Sequence, residues 1–220
     1  MLHLGSLRRT SIDVDASFFL LLALFVLLNQ DPRGIQYALI WIPIAFISVL
    51  VHELAHAAMI GLLGFGPSQI VLGGMGGVTI NRRSARPWQD VLISLAGPVS
   101  SFALMLLCWW LSHNLAIAQR DRMLVVLLPY MTYANLFWGL FNLIPVSPLD
   151  GGHAVRELSR IFFREPTAFI ISTWTGIVIG GGVAVWMLAT HNFFLAFYIA
   201  WFVYNTFERW REFRNRGTVD

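Results

Sequence analysis

Two histidines and a glutamate interrupt an otherwise apolar stretch of the sequence. His52, Glu53 and His56 lie in ISVLVHELAHAAMIGLLG, residues 47–64, and form a complete H-E-x-x-H pattern. On a helix, residues four apart share a face, so both imidazoles can reach one metal ion, and Glu53 can reach a water molecule beside it. The pattern therefore predicts two zinc ligands and a general base.

The alternative is that these three residues pack between helices and bind no ligand. An unpaired carboxylate in the hydrocarbon core of a membrane costs at least about 2.5 kcal/mol, and such residues persist where they have a function. We therefore interpret the pattern as a metal site. A catalytic zinc ion needs a third protein ligand. The third histidine of one soluble protease group is excluded, because Met59 and Leu62 occupy the corresponding positions.

Asp150 is the candidate for the third ligand. It lies in FNLIPVSPLDGGHAV, beside a long apolar run and next to helix-breaking residues. A straight helix from residue 123 would carry Asp150 about 40 Å, beyond a hydrocarbon core of roughly 30 Å. Pro145 and Pro148 are expected to end that helix and turn the chain back, and Gly151 and Gly152 to allow a tight turn. The alternative for Asp150 is an N-cap of the following helix.

The composition excludes an ordinary soluble domain. Of the 220 residues, 57% are hydrophobic and only 12% are charged, and the mean hydropathy is +0.66. The single Cys108 excludes a disulfide framework. All fifteen basic residues are arginines in the gaps between apolar runs, with no basic face carrying aromatic residues, so nucleic acid is excluded as a partner. The lipid bilayer is the expected surrounding.

Six apolar runs predict an all-α polytopic membrane protein with about six transmembrane helices, forming a single domain over residues 1–220. The runs are 16–29, 35–63, 88–112, 123–146, 168–189 and 192–207. Twelve arginines fall on one side of this arrangement, and Arg33, Arg120 and Arg122 on the other. This bias predicts that both termini are cytoplasmic.

Two segments outside these runs have a predicted structure of their own. Between the second and third runs, GFGPSQIVLGGMGGVTINRRSARP is rich in glycine and alternates around QIVL and VTI. It predicts a small membrane-associated β segment, and the alternative is an ordinary cytoplasmic loop. The basic tail, residues 208–220, is predicted to be an amphipathic helix at the membrane surface.

Taken together, these motifs resemble the site-2 protease family of intramembrane zinc metalloproteases. The family pattern N-x-x-P-x-x-P-L-D-G-G is matched by Asn142, Pro145, Pro148, Leu149, Asp150, Gly151 and Gly152. A further signature, G-x-x-x-N/S/G, is matched by Gly97 and Ser101 in LAGPVSSF. The resemblance covers residues of about 35–155, the predicted catalytic core.

The resemblance implies one Zn²⁺ ion per chain, held by His52, His56 and Asp150, with Glu53 as the base. Asn142 would contact the substrate backbone or the developing oxyanion. Asn135, seven residues earlier, could do the same, or it could form an interhelical hydrogen bond. The glycine-rich segment, with Gly73, Gly74, Gly76 and Gly77, would present a strand edge to an unwound substrate.

The resemblance also implies partners and a location. The substrate would be a transmembrane protein, often cut first by an upstream protease, and the small size suits a prokaryotic inner membrane.

Two other functions stay open at this point: a membrane metal-ion transporter and an inactive membrane-protein-binding scaffold. A transporter usually draws polar groups from several spans, and the first, third, fifth and sixth runs are nearly devoid of them. A scaffold would be supported by a broken motif, and this motif is intact. The other histidines, His153 among them, are not assigned to the site.

Overall fold

The computed structural model describes residues 1–7, 9–30, 32, 34–82 and 85–216. Arg8, Arg33 and Arg83, which contribute to the predicted charge bias, lie outside the described residues, as do residues 217–220 of the predicted basic tail. The chain divides into two compact units, Met1–Ser84 with Ala96–Gly139, and Ala85–Leu95 with Leu140–Asp220. The extent of the functional domain over the whole chain stays a prediction.

The structure is mostly helical, with one small sheet. The elements of the described chain are β1 Leu2–Leu7, β2 Thr10–Val14, α1 Ala16–Leu28, α2 Ile35–Leu39, α3 Trp41–Leu62, β3 Ser68–Gly73, β4 Gly76–Ile80, α4 Pro87–Asn114, α5 Ala116–Arg120, α6 Leu124–Asn142, α7 Asp150–Phe162, α8 Glu165–Ala189 and α9 Phe193–Arg216. The H-E-x-x-H pattern lies in the second half of α3.

The sheet has four strands in the order β1-β2-β3-β4. The predicted β segment is present as the antiparallel hairpin β3–β4, in which Gly73 lies opposite Gly76. The second hairpin, β1–β2, was not predicted. Its strand β2 pairs in parallel with β3, from Thr10 opposite Ser68 to Val14 opposite Leu72.

The core of the first unit packs α1 and the sheet against α3. Phe18 and Leu72 are buried there with Val49, which lies three residues before His52 on α3. The side chain of Asp15 caps α1 by accepting a hydrogen bond from the amide of Ser17 (2.9 Å), and hydrogen bonds from Ser17 lower the pKa of Asp15. This packing places α3, and with it the histidines, against the sheet.

The number of predicted spans is not confirmed. Within the described residues, four helical segments are long and apolar enough to cross a membrane: Ile35–Leu62, Pro87–Asn114, Leu124–Asn142 and Glu165–Ala189. The first apolar run forms α1, whose 13 residues extend only about 20 Å, less than a core of roughly 30 Å. The last run and the start of the basic tail form one continuous helix, α9. Many large apolar side chains on the long helices are exposed, as expected where they face lipid.

The second unit corrects the predicted geometry around Asp150. Helix α6 ends at Asn142, three residues before Pro145, and α7 begins at Asp150. Gly151 and Gly152 belong to the first turn of α7, so they do not form a separate turn. A Cβ atom at Gly152 would lie 2.6 Å from the backbone of Val146 and Ser147. These glycines are therefore needed because the helix starts in close contact with the preceding segment, and not because the backbone requires an unusual conformation.

Candidate metal centre

Three of the predicted site residues meet on α3. His52, Glu53 and His56 are only 2%, 4% and 6% exposed. Each offers one ligand atom, and these atoms lie within 4.8 Å of one another. The two imidazole rings are 4.9 Å apart between centroids and nearly perpendicular. The helical spacing that the sequence predicts thus produces a buried cluster of two imidazoles and a carboxylate.

The orientation of His52 is fixed from a second helix. Its Nδ1 atom shares a hydrogen bond of 3.0 Å with the buried hydroxyl of Ser101 on α4. A metal-binding histidine usually forms such a bond with one ring nitrogen, which fixes the ring and directs the other nitrogen to the ion. Ser101 therefore leaves Nε2 of His52 as the ligand atom.

Gly97 lies one turn before Ser101 on α4 and faces both histidines. A Cβ atom at this position would lie 2.5 Å from Nε2 of His52 and closer still to Nε2 of His56. Both ligand nitrogens are therefore directed to the same small space, which the missing side chain leaves open. The two residues of the G-x-x-x-S signature thus contact the metal-binding histidines, one by a hydrogen bond and the other by its small size.

Glu53 is held by the edge strand β4. The hydroxyl of Thr79 donates to Oε2 of Glu53 (2.7 Å) and contacts its backbone carbonyl at 3.1 Å. A Cβ atom at Gly77, two residues earlier, would lie 2.6 Å from Oε1 of Glu53. The strand can approach the carboxylate this closely only because residue 77 is glycine.

The other predicted glycines contact different residues. Gly74 lies against Ser17 of α1, and its amide donates to the Ser17 hydroxyl (2.9 Å). Gly73 also faces Ser17. Gly76 has a φ of +111°, which favours glycine, and a Cβ atom there would lie 2.9 Å from the ring of Trp138. Among the four glycines of the prediction, Gly77 is the one that the structure places against Glu53.

Asn135 forms the interhelical hydrogen bond that was predicted as the alternative to a contact with the substrate. It is fully buried in α6, and its amide nitrogen donates to Ser48 Oγ on α3 (3.0 Å) and to the carbonyl of Met131 (2.8 Å). Its Oδ1 atom is buried without a hydrogen-bond partner among the described residues. Ser48 lies one turn before His52, so this bond helps to hold the helix that carries the site.

Asp150 and Asn142 belong to the second unit. Asp150 is the first residue of α7, and the cap position is occupied by Leu149, where no side-chain hydrogen bond is formed. The N-cap alternative for Asp150 therefore has no support from the helix geometry. Asn142 is the last residue of α6 and is half-buried. The roles of both residues in the site stay predictions.

Two contacts of the site were not predicted, those of Thr79 and Gly77 with Glu53. A signal for both was present in the sequence. Because side chains alternate along a strand, Gly77 and Thr79 of the predicted VTI strand must share a face, and one threonine on that face is a natural partner for a nearby carboxylate. The sequence could not show that this face would be turned towards α3.

The donor set fits a zinc ion. Zinc prefers imidazole nitrogen among its ligands, and His52 and His56 offer two imidazoles in a buried position, with the carboxylate of Glu53 beside them. The hydrogen bond between His52 and Ser101 and the absence of a side chain at Gly97 are further features of a site prepared for an ion. They are harder to explain if the histidines only pack between helices.

Comparison with known families identifies the chain. A sequence model of the family described as Peptidase M50B-like matches residues 18–155, which is more than half of the chain and includes every predicted catalytic residue. The chain belongs to the Peptidase M50B-like family. The predicted resemblance to site-2 proteases is thereby confirmed, and the family supports the prediction of a zinc metalloprotease.

Individual relatives of this M50B-like chain agree with that assignment. Rip3 of Mycobacterium tuberculosis, which carries the name of a zinc metalloprotease, is 36% identical over 110 residues, covering 50% of this chain and 28% of that protein. The similarly named sll0528 of Synechocystis is 28% identical over 221 residues, covering 92% and 57%. The chain thus spans between about a quarter and just over half the length of these two relatives.

A solved structure shares the fold. The site-2 protease from Methanocaldococcus jannaschii superimposes with a TM-score of 0.66 over 94% of both chains, at 22% sequence identity. At this identity the likeness concerns the fold alone. It shows that the fold of the M50B-like chain is already known in a site-2 protease.

Proposed function

We propose that this chain is an intramembrane zinc metalloprotease that cleaves peptide bonds in or near the transmembrane segments of membrane proteins. One observation carries the proposal: a buried His-Glu-His cluster with ligand atoms within 4.8 Å lies in a segment long and apolar enough to cross a membrane. A membrane helix keeps such groups when they have a function. Membership of a peptidase family supports the same conclusion.

His52 and His56 would hold the zinc ion through their Nε2 atoms, and Asp150 is proposed as the third protein ligand on the strength of the family motif. A zinc ion at this position would lower the pKa of a water molecule and polarise the carbonyl of the scissile peptide bond. Ser101 would keep the ring of His52 in the ligating orientation, and Gly97 would leave the space for the ion.

Glu53 is proposed as the base that takes the proton from the attacking water and later delivers it to the leaving amine. The hydroxyl of Thr79 fixes Oε2 of the carboxylate, so its orientation is set before a substrate arrives. Pre-positioned groups of this kind reduce the reorganisation needed in the transition state. The contact of Glu53 with a strand residue favours an enzyme over a metal-ion transporter, which needs no base held beside its ligands.

The substrate would bind as an added strand at β4. A transmembrane helix hides its peptide bonds in its own hydrogen bonds, so it must unwind before cleavage. Strand β4 is at the edge of the sheet, and its Val78 and Ile80 are 59% and 49% exposed. An open edge with apolar side chains suits an extended apolar segment. Asn142 is proposed to contact the substrate backbone or the oxyanion.

The proposal includes the finer predictions of topology and partners. Besides the four long segments, α1 and the apolar part of α9 would enter the membrane, giving six spans with both termini in the cytoplasm of a prokaryotic cell. The partners would be the bilayer, a transmembrane substrate and an upstream protease that cuts the substrate first.

The activity can be tested by reconstituting the purified chain in liposomes with a model transmembrane substrate. We expect the wild type to cleave it, Glu53→Gln to lose cleavage because the base is removed, and a zinc chelator to stop the wild type until zinc is restored. Glu208→Gln is the matched control, because Glu208 is on α9 and makes a surface ion pair. Cleavage by Glu53→Gln at the wild-type rate would overturn the assignment.

A further inference from the structure

A polar pocket lies in the second unit, where the first turn of α7 meets α8 and α9. Its polar lining includes His153, Arg156, Ser172, Thr173, Thr206 and Arg209. No described residue that lines the pocket is acidic. The proposed chemistry of Glu53 and the histidines makes no use of this pocket, whose side chains would suit a negatively charged ligand.

Arg209 brings a positive charge that its contacts with the described residues do not neutralise. Its Nη2 atom donates to the carbonyl of Ser147 and its Nε atom to the carbonyl of Asn205, both at 3.3 Å. Burial lowers the pKa of Arg209, and the nearby charge of Arg156 lowers it further. The two guanidinium groups therefore repel each other across the pocket, and an anion between them would relieve that repulsion.

Arg156 forms an ion pair but keeps one donor without a partner in the described chain. One of its terminal nitrogens donates to Glu165, which also accepts from Nε of Arg160, while Arg160 pairs with Glu157 as well (both 2.6 Å). The Nε atom of Arg156 is buried and has no hydrogen-bond partner among the described residues. The ring of Phe169 holds the guanidinium at 5.6 Å from its centroid. A positioned donor is therefore left for a ligand.

His153 adds little charge to the pocket at neutral pH. Burial lowers its pKa, although the charge of Asp150 opposes this effect and Asp90 does so more weakly. Neither carboxylate lines the pocket. The imidazole is therefore neutral near pH 7, and the positive charge comes from the two arginines. Hydroxyl groups from α8 and α9 complete the lining. Those of Ser172 and Thr206 donate to the carbonyls of Phe169 and Ser147, so the charged donors for phosphate oxygens are the two guanidinium groups.

The position of the pocket along α8 suggests where such a phosphate comes from. Phe169 and Thr173 follow the start of α8, Glu165, by four and eight residues, which places them about 6 and 12 Å along the helix axis. Helix α8 is one of the four candidate spans. The pocket therefore lies near one end of a span, at the level where headgroup phosphates and arginine side chains meet.

We propose that this pocket binds a phosphate group between Arg156 and Arg209. The group is either the headgroup phosphate of an anionic phospholipid or a free phosphate ion. By bridging the two guanidinium groups it would stabilise the packing of α7 against α8 and α9. The proposal is independent of the protease activity, because it rests on the pocket alone.

The test is the thermal stability of the detergent-purified full chain, followed by intrinsic tryptophan fluorescence, in titrations with two probes. One probe is inorganic phosphate, compared with sodium chloride at equal ionic strength. The other is a short-chain phosphatidylglycerol, compared with phosphatidylcholine of the same chain length. We expect a saturable rise in Tm with at least one probe, because a ligand that binds only the folded state stabilises it. A response to phosphatidylglycerol alone identifies a lipid headgroup, and a response to phosphate identifies a free anion.

Arg209→Gln should weaken the response about ten-fold or more in ligand concentration, since it removes a charged donor. Arg211→Gln is the matched control: it makes the same charge change on the same helix, at an exposed arginine paired with Glu208 that does not line the pocket. An unchanged wild-type Tm with both probes, beyond their salt and phosphatidylcholine controls, overturns the proposal even if Arg209→Gln fails to fold. Equal responses in the two variants overturn it as well.

Discussion

At the scale of single residues, two of the three side chains of the cluster on α3 form hydrogen bonds with residues from other elements. Ser101 of α4 fixes His52, and Thr79 of β4 fixes Glu53. Gly97 and Gly77 contribute by having no side chain where one would collide with a functional atom. The chemistry of H-E-x-x-H thus depends on small residues more than twenty positions away in the sequence.

Thr79→Val tests whether the hydroxyl positions the base. Valine keeps the shape of threonine but cannot donate to Oε2 of Glu53. A hydrogen bond to a charged group contributes about 1.5–3 kcal/mol, so we expect kcat to fall by about ten-fold or more, with KM and zinc content unchanged. The measurement is steady-state cleavage of the model transmembrane substrate together with metal analysis.

Thr79→Ser is the matched control, because serine retains the donor. It should restore most of the wild-type kcat. If serine and valine at position 79 gave equal rates, the hydroxyl would have no positioning role, and the contact with Glu53 would only contribute to packing of the strand.

The residues of the metal centre could be predicted to different degrees. His52, Glu53 and His56 are recognisable because a fixed helical spacing carries their geometry. Thr79 could not be assigned, because its contact with Glu53 spans 26 positions and depends on how a hairpin packs on a helix. Asn135 was given two roles that spacing alone could not separate, and the structure shows the hydrogen bond to Ser48.

At the scale of elements, α3 packs against the sheet and α1 and is bonded to α6. The sheet contributes Leu72 and Ile70 to the core around α3. Helix α6 contributes the buried bond from Asn135 to Ser48. Since Ser48 is one turn from His52, loss of this bond would loosen the helix without removing a reacting group.

Asn135→Ala is expected to lower the free energy of unfolding by about 1 kcal/mol, the typical size of an interhelical hydrogen bond in a membrane protein. The kcat of the folded enzyme should stay near the wild-type value. Unfolding in a denaturing detergent, with activity measured before denaturation, gives both quantities.

Ser48→Ala provides the partner variant for a double-mutant cycle. If the two side chains act through their shared bond, the double variant should lose less stability than the sum of the single variants. A large loss of kcat in Asn135→Ala with unchanged stability would contradict the structural role and return Asn135 to the substrate site.

The elements show where the sequence is informative and where it is not. The β3–β4 hairpin is predicted because glycines and alternating residues mark it locally. The β1–β2 hairpin is paired through β2 with a strand more than fifty residues away, although L-H-L and S-I-D-V do alternate. The prolines near Asp150 were correctly connected with the end of a helix, although α6 ends earlier than predicted. The tight turn predicted at Gly151 and Gly152 was wrong, because these glycines lie in the first turn of α7 and allow close packing.

At the scale of the whole molecule, the open question is how many segments cross the membrane. In the part of the chain that the structure describes, four are long and apolar enough by themselves. Helix α1 is short, and α9 is apolar only in its first part, before the arginines that begin at Arg209. Hydropathy alone could not decide these two cases. A helix shorter than the hydrocarbon core can still cross it where the bilayer adapts to its length.

Reporter fusions at the two termini test the proposed six spans. An even number of spans places both termini on one side, and the arginine bias predicts the cytoplasm. A fluorescent reporter that is active only in the cytoplasm should therefore be active at either end. A fusion in the loop near Arg120 is the control and should be inactive there. Termini on opposite sides would contradict six spans.

The most direct test of the central claim is the zinc content of the detergent-purified chain, measured by mass spectrometry for the wild type, Glu53→Gln and Asp150→Ala. The account predicts about one zinc ion per chain in the first two, because Glu53 acts as the base and is not a ligand, and a clear loss of zinc in Asp150→Ala. Full zinc occupancy in Asp150→Ala would remove Asp150 from the ligand set. Absence of zinc from the wild type would contradict the metalloprotease itself.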